Sequence, residues 1–532
     1  MFYIIPSWDT QTLNIDYDYL LNKMLMFEEE GVPYLIMGET FNPMLTLQLN
    51  KFGLINAKVW QAFDEIQNVH LTVGKPLSFE DIPMPSQVEQ VYSPYGISLM
   101  GDDHLVAFAE MFAGIVLQKI TYYRDDDNQT IDHVDIFDGR GFLSRRYLFD
   151  AGQVRLIKLY NPFGEVVLTV DETQNGLVTI YQSHHFAKDH YASLTELVIE
   201  VSRRFLWKAD GNAKIISAVD DQFSTLTAAI QLNHPVCNVI TDTSPDDEIK
   251  KALTLSSSPK VLAPSEQRLA KITAFCHDLE LTDVHSKFVP PYPTEFDLGI
   301  SNSLATQIIF WHVEQMDHKR ATRLAETLVK LVVDSEDKEL LVNAVDQPTY
   351  EVIHKAVIQW IERQFDVSVN SEELAWVRTY LEARSNHQLT KDMIKEAKKR
   401  SHQENWQNLI DATLALAKLH FDKNHQMSFY DESLKRARLL VDLSPTPSPY
   451  LQTKAISFGI PQINAIATSF VTDKKNGIIL KKDRKLDRAV NYFLDTLDNW
   501  NLAVVEDVKK MGEFSKSTLV SQINAIFEEG EA

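Results

Sequence analysis

The chain has 532 residues, 44% of them hydrophobic and 10% aromatic, and a formal net charge of −22. This length exceeds the size at which one hydrophobic core stops growing, so we expect two or three domains, and the apolar content argues against extensive disorder. The acidic balance excludes nonspecific nucleic-acid binding, because such binding requires Lys and Arg to neutralise phosphates.

The cysteine content and the N-terminal segment indicate the compartment. Cys237 and Cys276 are the only cysteines, which excludes a disulfide framework and fits a reducing environment. The start MFYIIPSWDTQ has no basic region before its short apolar run, so it does not predict a signal peptide. No stretch approaches the roughly 18 uninterrupted apolar residues of a spanning helix. We therefore expect a cytoplasmic protein that contacts a membrane only peripherally, through partners.

The first hundred residues alternate between strand and helix patterns, which predicts a parallel sheet with helices on its faces. The turn Pro6-Ser7-Trp8 lacks the Gly-rich loop that lets backbone approach a phosphate, which argues against a nucleotide or acceptor loop at this edge. The predicted segments are the strands Phe2–Ile5 and Pro33–Met37, the helix Tyr17–Glu30, and the helical or mixed segments Leu45–Leu54 and Trp60–Ile66.

Between about Leu105 and Gln182 the apolar pattern changes to a period of two, with turn signals between the runs. This pattern predicts an antiparallel β-sheet. Gly139 and Gly141 join strand to strand, so they do not predict a dinucleotide-binding loop. The five predicted strands are Asp132–Phe137, Leu143–Phe149, Val154–Tyr160, Val166–Val170 and Leu177–Tyr181.

Helix and parallel-strand patterns resume from Leu194. The acidic, Ser-rich stretch Thr241–Pro259 is interpreted as the region where one α/β domain hands over to the next. After it the alternation continues, with strands predicted over Lys260–Ala263, Gln307–Val313 and Leu340–Val345, and helices over Gln267–Phe275, Arg320–Val332 and Tyr350–Phe365.

The segment from Pro449 to Leu480 has the most specific backbone pattern. A helix over about Tyr450–Ser457 is predicted to end at Gly459, which supplies a left-handed cap, and Pro461 prevents its continuation. Asn476-Gly477 predicts a tight turn before a short apolar strand. The loop entering the helix would line a ligand crevice at the carboxyl ends of parallel strands, although a plain helix–loop–strand connection explains the pattern as well.

This backbone frame resembles the sugar-nucleotide donor site of GT-B glycosyltransferases. These enzymes often carry two Glu residues separated by seven positions, then Ala-x-x-x-Gly-x-Pro and later Asn-Gly. Ala455, Gly459 and Pro461 keep the frame, but the two Glu positions hold Thr446 and Lys454. Neither side chain binds ribose hydroxyls or offsets positive charge as a carboxylate does.

Several motifs together resemble a more specific family. They are the start MFYIIPSW, the YSPYG around Tyr92, the run VDIFDGRGFLSRRYLFD, and Tyr450-Leu-Gln with Gly-Ile-Pro-Gln-Ile-Asn464. They are similar to the family of the first accessory secretory protein of the accessory Sec export system of Gram-positive bacteria. The match covers both ends and the β insertion, whereas residues from about 260 to 430 match by pattern only.

The resemblance implies an α/β, GT-B-like fold with two Rossmann-like domains facing a cleft and an antiparallel β-sheet extension inserted in the N-terminal domain. The predicted domains are residues 1–104 with 183–250, the β extension 105–182, the C-terminal domain 251–505, and a closing helix in 506–532 that packs back on the N-terminal domain.

The resemblance also implies a function without catalysis. The chain would act in a complex with the two other accessory secretory proteins and the accessory Sec motor ATPase to export glycosylated serine-rich-repeat adhesins, with no cofactor and no metal. The alternative is an active GT-B glycosyltransferase that modifies the adhesin with a sugar from a nucleotide donor. The degenerate donor-site positions, as candidate glycan or partner contacts, are Thr446, Ser448, Gln452, Lys454, Gly459, Pro461 and Gln462.

Two further groups of residues were considered as ligand sites. In place of the Gly-Arg-x-x-x-x-Lys-Gly phosphate clamp of such enzymes, the chain reads Glu314-Gln-Met-Asp-His-Lys-Arg320, where Lys319 or Arg320 either meets an anion or is a helix-surface charge. His184, His185 and His190 suggest a metal site, but they lack Cys or carboxylates at helpful spacing, which favours surface histidines.

Overall fold

The computed structural model describes residues 1–6, 8, 18–71, 74–83, 88–101, 104–124, 127–181, 185–209, 213–230 and 234–529. Ser7, Tyr17, Gln182, His184 and Leu232, which belong to predicted features, lie outside the described residues. The chain divides into two compact units, Met1–Val289 with Val520–Ala532, and Pro290–Leu519.

The first unit contains two sheets. Its strands are β1 (Phe2–Ile5), β2 (Tyr34–Gly38), β3 (Lys58–Gln61), β4 (Glu89–Ser93), β5 (Gly96–Met100), β6 (Leu105–Phe112), β7 (Val116–Arg124), β8 (Asp127–Asp138), β9 (Phe142–Asp150), β10 (Gln153–Tyr160), β11 (Val166–Asp171), β12 (Leu177–Ile180), β13 (His190–Tyr191), β14 (Lys214–Ala218), β15 (Val236–Val239), β16 (Lys260–Ala263) and β17 (His285–Phe288). Its helices are α1 (Tyr19–Glu29), α2 (Leu45–Lys51), α3 (Ala62–Ile66), α4 (Leu194–Trp207), α5 (Ala228–Ile230), α6 (Asp246–Thr254) and α7 (Glu266–Asp278).

The second unit is built on one sheet. Its strands are β18 (Gln307–Val313), β19 (Lys338–Ala344), β20 (Leu419–Asp422), β21 (Ala437–Asp442), β22 (Gln462–Asn464) and β23 (Gly477–Ile479). Its helices are α8 (His318–Val333), α9 (Gln347–Phe365), α10 (Glu372–Ser385), α11 (Lys391–Arg400), α12 (Trp406–Ala417), α13 (Met427–Arg436), α14 (Pro449–Phe458), α15 (Leu486–Leu494) and α16 (Leu497–Glu513), and a last helix, α17 (Lys516–Glu528), begins in this unit and ends in the first.

Parallel pairing organises the first sheet, whose order is β17-β16-β15-β14-β1-β2-β3. Strands β1 and β2 are almost entirely apolar, as is typical of parallel strands covered on both faces, and Ile4 and Ile36 have no exposed surface. The predicted strands over Phe2–Ile5 and Pro33–Met37 are therefore confirmed, as is the predicted parallel sheet.

The β extension is a ten-stranded antiparallel sheet in the order β13-β12-β11-β10-β9-β8-β7-β6-β5-β4. The five predicted strands correspond to β8 through β12 and are confirmed. The sheet also includes β4 and β5, before the predicted start at residue 105, and β13, after the predicted end at 182. All five residues of β4 are exposed, so the apolar alternation that indicates a half-buried strand is missing there.

The predicted handover at residues 250 and 251 differs from the structure. The acidic stretch contains α6, and β16 and β17 then extend the first parallel sheet, so the first unit continues to Val289. Asp246, Asp247 and Glu248 form the first turn of α6, where carboxylates interact favourably with the positive end of the helix dipole. The acidic, Ser-rich stretch Thr241–Pro259 therefore lies within the first unit and is not the handover between the two units.

The second unit has a parallel sheet in the order β20-β19-β18-β21-β22-β23. The apolar run Gln307–Val313 is its central strand, and helices α8, α9, α12 and α15 contribute to the core around it. Ile309, Trp311 and Val313 have no exposed surface. The alternation of strands and helices predicted for this half is thus confirmed.

The C-terminal helix returns to the first unit. Its ring contact between Phe527 and Phe2 has a centroid distance of 5.8 Å, and Glu529 lies 2.5 Å from Lys287 Nζ. The predicted segment 506–532 begins inside α16, which ends at Glu513 and precedes α17. No helix in the described residues is long and apolar enough to cross a membrane.

Candidate functional site

The loop between β21 and α14 is held by a buried carboxylate. Asp442, the last residue of β21, has no exposed surface and accepts from the backbone N–H groups of Ser444 at 3.1 Å and Ser448 at 2.9 Å. Ser448 in turn is the N-cap of α14, and Pro449 occupies the first helical turn. Asp442 therefore fixes the loop that would face a donor in a GT-B enzyme.

A row of buried polar side chains crosses the sheet at this edge. The strand register pairs Asn343 of β19 with His312 of β18, His312 with Asp442, and Asp442 with Asn464 of β22. All four residues are at most 2% exposed. Because paired residues in adjacent strands point to the same face, their side chains form one polar ladder near the carboxyl ends of the strands.

His312 contacts both a neighbouring member of this ladder and a carboxylate. Its Nδ1 lies 2.9 Å from Asn343 Oδ1, and its Nε2 lies 3.6 Å from Glu314 Oε2. Burial alone would lower the pKa of His312, but Glu314 and Asp442 together raise it above its usual value. The pKa of Glu314 is lowered, mainly by the same histidine. The two side chains therefore shift each other's pKa in the directions expected of an ion pair, at an Nε2–Oε2 distance of 3.6 Å.

Five of the predicted site residues have structural roles. Gln452 donates to Thr468 Oγ1 at 2.9 Å, and Gln462 donates from Nε2 to the Gln452 carbonyl at 3.1 Å, with both glutamines at most 1% exposed. Gly459 caps α14 with φ of 68°, as predicted, and Pro461 accepts from the Leu440 N–H at 3.0 Å. With Ser448 at the N-cap, these residues all take part in contacts that hold α14 and the strands beside it.

Thr446 and Lys454, the two positions where the resemblance leads one to expect Glu, lie in different surroundings. Thr446 lies on the exposed part of the loop. Lys454 lies on α14, with its Nζ 3.4 Å from Asp431 Oδ2 and 5.6 Å from the ring centre of Tyr450, whose hydroxyl donates to Asp431 at 2.6 Å. Asp431 thus contacts both the Lys454 amine and the Tyr450 hydroxyl.

The basic residue nearest to the expected phosphate clamp is also engaged. Arg320 donates from Nε and Nη2 to the two carboxylate oxygens of Asp483, each at 2.9 Å, and from Nη1 to the Leu443 carbonyl at 3.0 Å. This hydrogen bonding lowers the pKa of Asp483. Arg320 was expected either to bind an anion or to be a charge on the helix surface. In the structure its guanidinium instead links α8 to the loop after β21.

Asn476 stabilises the turn predicted before the last strand. Its side chain donates to the Phe470 carbonyl at 2.8 Å and to Asp507 at 2.9 Å, and accepts from the Thr472 N–H at 2.7 Å. Gly477 follows because a Cβ at this position would lie 2.4 Å from the Gln462 carbonyl oxygen. The Asn-Gly pair is thus explained by packing within the sheet.

Sequence reasoning did not single out the polar ladder. A usable signal was present, since His312, Asn343, Asp442 and Asn464 each lie at or next to the end of an apolar strand pattern. His185 and His190, by contrast, are exposed, and the described residues contain no group of three or more His, Cys, Asp or Glu able to hold a metal ion.

Comparison with known proteins identifies the family. The family model described as an accessory Sec system protein, the first of the Asp proteins, matches residues 1–530. The chain belongs to this family. It is therefore a component of the accessory Sec system. Similar relatives with that description come from Streptococcus gordonii, 23% identical over 534 residues with 96% of each chain covered, and Staphylococcus aureus (strain NCTC 8325 / PS 47), 24% identical over 554 residues with 99% of each covered.

Solved structures establish the fold. The Glycosylation Associate Protein (Gap123) complex from Streptococcus agalactiae contains a chain with TM-score 0.72 and 21% identity, covering 99% of this chain and 100% of that one. The structure of accessory secretory protein 1, 2 and 3 in Streptococcus pneumoniae contains a chain with a TM-score of 0.71 and 18% identity, with 99% of each chain covered. The pneumococcal O-GlcNAc transferase GtfA, in complex with UDP and GlcNAc, has a TM-score of 0.58 and 9% identity, covering 99% of this chain and 98% of that one. The expected GT-B-like fold is confirmed.

Proposed function

We propose that this member of the family is a non-catalytic export component that keeps a GT-B-like fold for recognition. The observation that carries the proposal is the state of the former donor site. One Glu position is the exposed Thr446, the other is Lys454 in contact with Asp431, and the nearby guanidinium of Arg320 is bound to Asp483. Groups that could neutralise a diphosphate are thus neutralised within the chain.

Similar solved structures support the proposal of partner proteins. Those structures contain the accessory secretory proteins 1, 2 and 3 or the Gap123 complex together. We infer that this chain acts in the cytoplasm in a complex with two other accessory secretory proteins, and that the complex passes a glycosylated serine-rich-repeat adhesin to the accessory Sec motor ATPase. Membrane contact in this proposal is peripheral and occurs through the partners. The exposed loop at Thr446 and the nearby Lys454 are proposed to contribute to partner or glycan contact.

The first test addresses catalysis. Wild-type protein and the double variant Thr446→Glu with Lys454→Glu, which restores both Glu positions, are compared in calorimetric titration and turnover with a uridine diphosphate sugar. We expect no turnover from either, because Arg320 remains engaged by Asp483 and Lys454→Glu places a carboxylate beside Asp431. Turnover by the wild type would instead support the alternative, an active glycosyltransferase.

The second test addresses assembly. Co-expression of the full chain with the two other accessory secretory proteins should yield one complex in affinity purification followed by size exclusion. Adding the glycosylated adhesin should shift this complex, whereas an unglycosylated adhesin tests whether the glycan is required. Separate elution of this chain from both partners would overturn the proposed assembly, whatever the result of the turnover assay.

A further inference from the structure

A cavity of about 580 Å³ lies inside the first unit, between the loop after β2 and one face of the antiparallel sheet. The loop Phe41–Met44 forms one wall, and the sheet face contributes Val134, Tyr147 and Phe149 with the paired ions Glu110 and Lys119. This volume falls in the range of small-molecule sites, and the lining combines apolar side chains with polar groups. It is distant in sequence from the degenerate donor site, which lies wholly in the second unit.

The strand register explains why these side chains meet. Glu110 of β6 pairs with Lys119 of β7, Lys119 with Ile136 of β8, and Ile136 with Arg145 of β9. Residues paired across neighbouring strands share a face, so these four side chains form one row, and Tyr147 lies two residues further along β9 on the same face. The cavity floor is therefore specified by the alternation of the sheet.

The opposite wall is fixed before any ligand binds. Asn42 accepts from the Met44 N–H at 3.2 Å and donates to Gln48 at 2.8 Å, and the Pro43 carbonyl accepts from the Gly139 N–H at 3.0 Å. These bonds tie the loop both to α2 and to the turn between β8 and β9. A preformed wall lowers the entropic cost of binding.

Arg145, directly behind the cavity, has no carboxylate partner among the described residues. Its guanidinium stacks on Phe41 at 3.6 Å from the ring centre, and its Nη1 donates to the Tyr147 hydroxyl oxygen at 3.0 Å. Its Nε and Nη2 are buried and have no hydrogen-bond partner in the part of the chain that the structure describes. Burial lowers the pKa of the Arg145 guanidinium. Arginine nevertheless stays charged in proteins, because its ordinary pKa lies far above neutral pH. A buried, uncompensated positive charge favours an anion nearby.

Tyr147 connects Arg145 to the cavity, because it lines the cavity and its hydroxyl oxygen accepts from Arg145. Because its oxygen accepts from Arg145, its hydroxyl hydrogen points elsewhere, and the neighbouring guanidinium makes that hydrogen a stronger donor. The charges of Glu110 and Lys119 offset each other, whereas the charge of Arg145 has no carboxylate partner among the described residues. A ligand acceptor bearing negative charge would accept from Tyr147 and lie close to the Arg145 guanidinium.

We propose that this cavity binds a small amphipathic carboxylate, whose acid group accepts from the Tyr147 hydroxyl and whose apolar body packs against Phe41, Val134 and Phe149. The carboxylate supplies a negative charge near Arg145, which has no carboxylate partner among the described residues. The site is independent of the export function proposed above, since it uses none of the former donor-site residues.

The test compares two probes of equal size, 4-phenylbutyrate and the uncharged 4-phenylbutanamide, by ligand-detected NMR titration on the full chain. We expect the carboxylate to bind about tenfold more tightly than the amide, as a hydrogen bond to a charged group suggests. Tyr147→Phe removes only the hydroxyl and should reduce carboxylate affinity to the level of the amide. Tyr181→Phe, on an exposed tyrosine directly after β12, is the matched control and should leave both affinities unchanged.

Two cavity-filling variants separate a loss of binding from a folding defect. Val154→Trp fills the cavity from β10 and Gln118→Trp fills it from β7, and either one, with a wild-type melting temperature, should abolish binding of both probes. Equal affinity for acid and amide in the wild type, unchanged carboxylate affinity in Tyr147→Phe, or wild-type binding in a folded cavity-filling variant would each overturn the proposal.

Discussion

Arg320 and Asp483 form a two-point ion pair across 163 residues of sequence, with Nε and Nη2 each 2.9 Å from a carboxylate oxygen. The third guanidinium nitrogen binds the Leu443 carbonyl in the loop before α14. This geometry matches the fork of arginine to the fork of a carboxylate, which lysine cannot reproduce. Arg320 therefore orders the loop that carries the former donor-site residues.

Replacing Arg320 should destabilise the second unit and loosen this loop. Arg320→Ala is expected to cost about 2 kcal/mol, in the range for hydrogen bonds to charged groups. Urea unfolding followed by tryptophan fluorescence measures the loss, and Arg320→Lys should recover only part of it. The matched control is Lys319→Ala, an exposed neighbour on the same helix, which should stay within roughly 0.5 kcal/mol of the wild type.

The Arg320 effect should depend on pH in one direction. The pKa of Asp483 is lowered in the folded state, mainly by Arg320, so the pair contributes stability above the unfolded pKa of about 3.9 and loses it as the pH falls further. The difference between wild type and Arg320→Ala should stay constant from pH 5 to 8 and shrink below pH 4. A difference that grows on acidification would contradict the ion-pair explanation.

Lys454 provides a prediction about electrostatics at the former Glu position. Lys454→Glu places a carboxylate near Asp431, with which Lys454 is now paired at 3.4 Å, and should cost roughly 1 kcal/mol, reduced at high salt. Lys454→Met keeps the stem that packs on Tyr450 and should cost less. Thermal unfolding at low and high salt distinguishes the two, and an equal loss in both variants would show that packing, not charge, explains the effect.

Gly459 provides a test of backbone conformation. Its φ of 68° is left-handed, and a Cβ would lie 3.1 Å from Leu298 Cδ2, so Gly459→Ala should destabilise the second unit by roughly 1–2 kcal/mol. Gly512→Ala is the control, because Gly512 lies within α16 and a Cβ there meets nothing within 4 Å. That substitution should stabilise by up to about 1 kcal/mol. Opposite signs for the two glycines in thermal unfolding confirm the prediction.

Sequence pattern was sufficient where one local signal determines the structure. Continuous apolar runs such as Gln307–Val313 predicted central parallel strands, and Gly459 with Pro461 predicted the end of α14, because burial and backbone sterics act locally. Composition failed for β4, whose residues are all exposed, and for α6, whose acidic first turn resembled a linker.

The candidate site was predictable only in part, for a related reason. The sequence shows Thr446 and Lys454 at the positions where the resemblance to GT-B donor sites leads one to expect Glu. The carboxylates that bind Lys454 and Arg320 are Asp431 and Asp483, and their pairing depends on how distant helices and loops fold together. Nothing near those residues in the sequence distinguishes them from other surface acids.

A buried glutamate in the first unit gives the clearest pH prediction. Glu39, directly after β2, is 7% exposed, its Oε2 accepts from the Thr227 hydroxyl at 2.9 Å, and its Oε1 has no partner among the described residues. Burial raises the pKa of Glu39 to about 8, and the nearby Asp220 adds to the rise. The folded protein therefore retains a proton that the unfolded chain releases above about pH 4.3.

This proton makes the first unit less stable as the pH rises. The stability associated with Glu39 is fully present below the unfolded pKa and is lost progressively as the pH approaches the folded value of about 8. Glu39→Gln stays neutral and keeps an oxygen acceptor for Thr227, so its stability relative to wild type should increase steadily from pH 5 to pH 8. Melting temperatures at pH 5, 6.5 and 8 measure this trend. Glu30→Gln, at the exposed end of α1, is the control, and a parallel trend in that variant would show that Glu39 is not the group responsible.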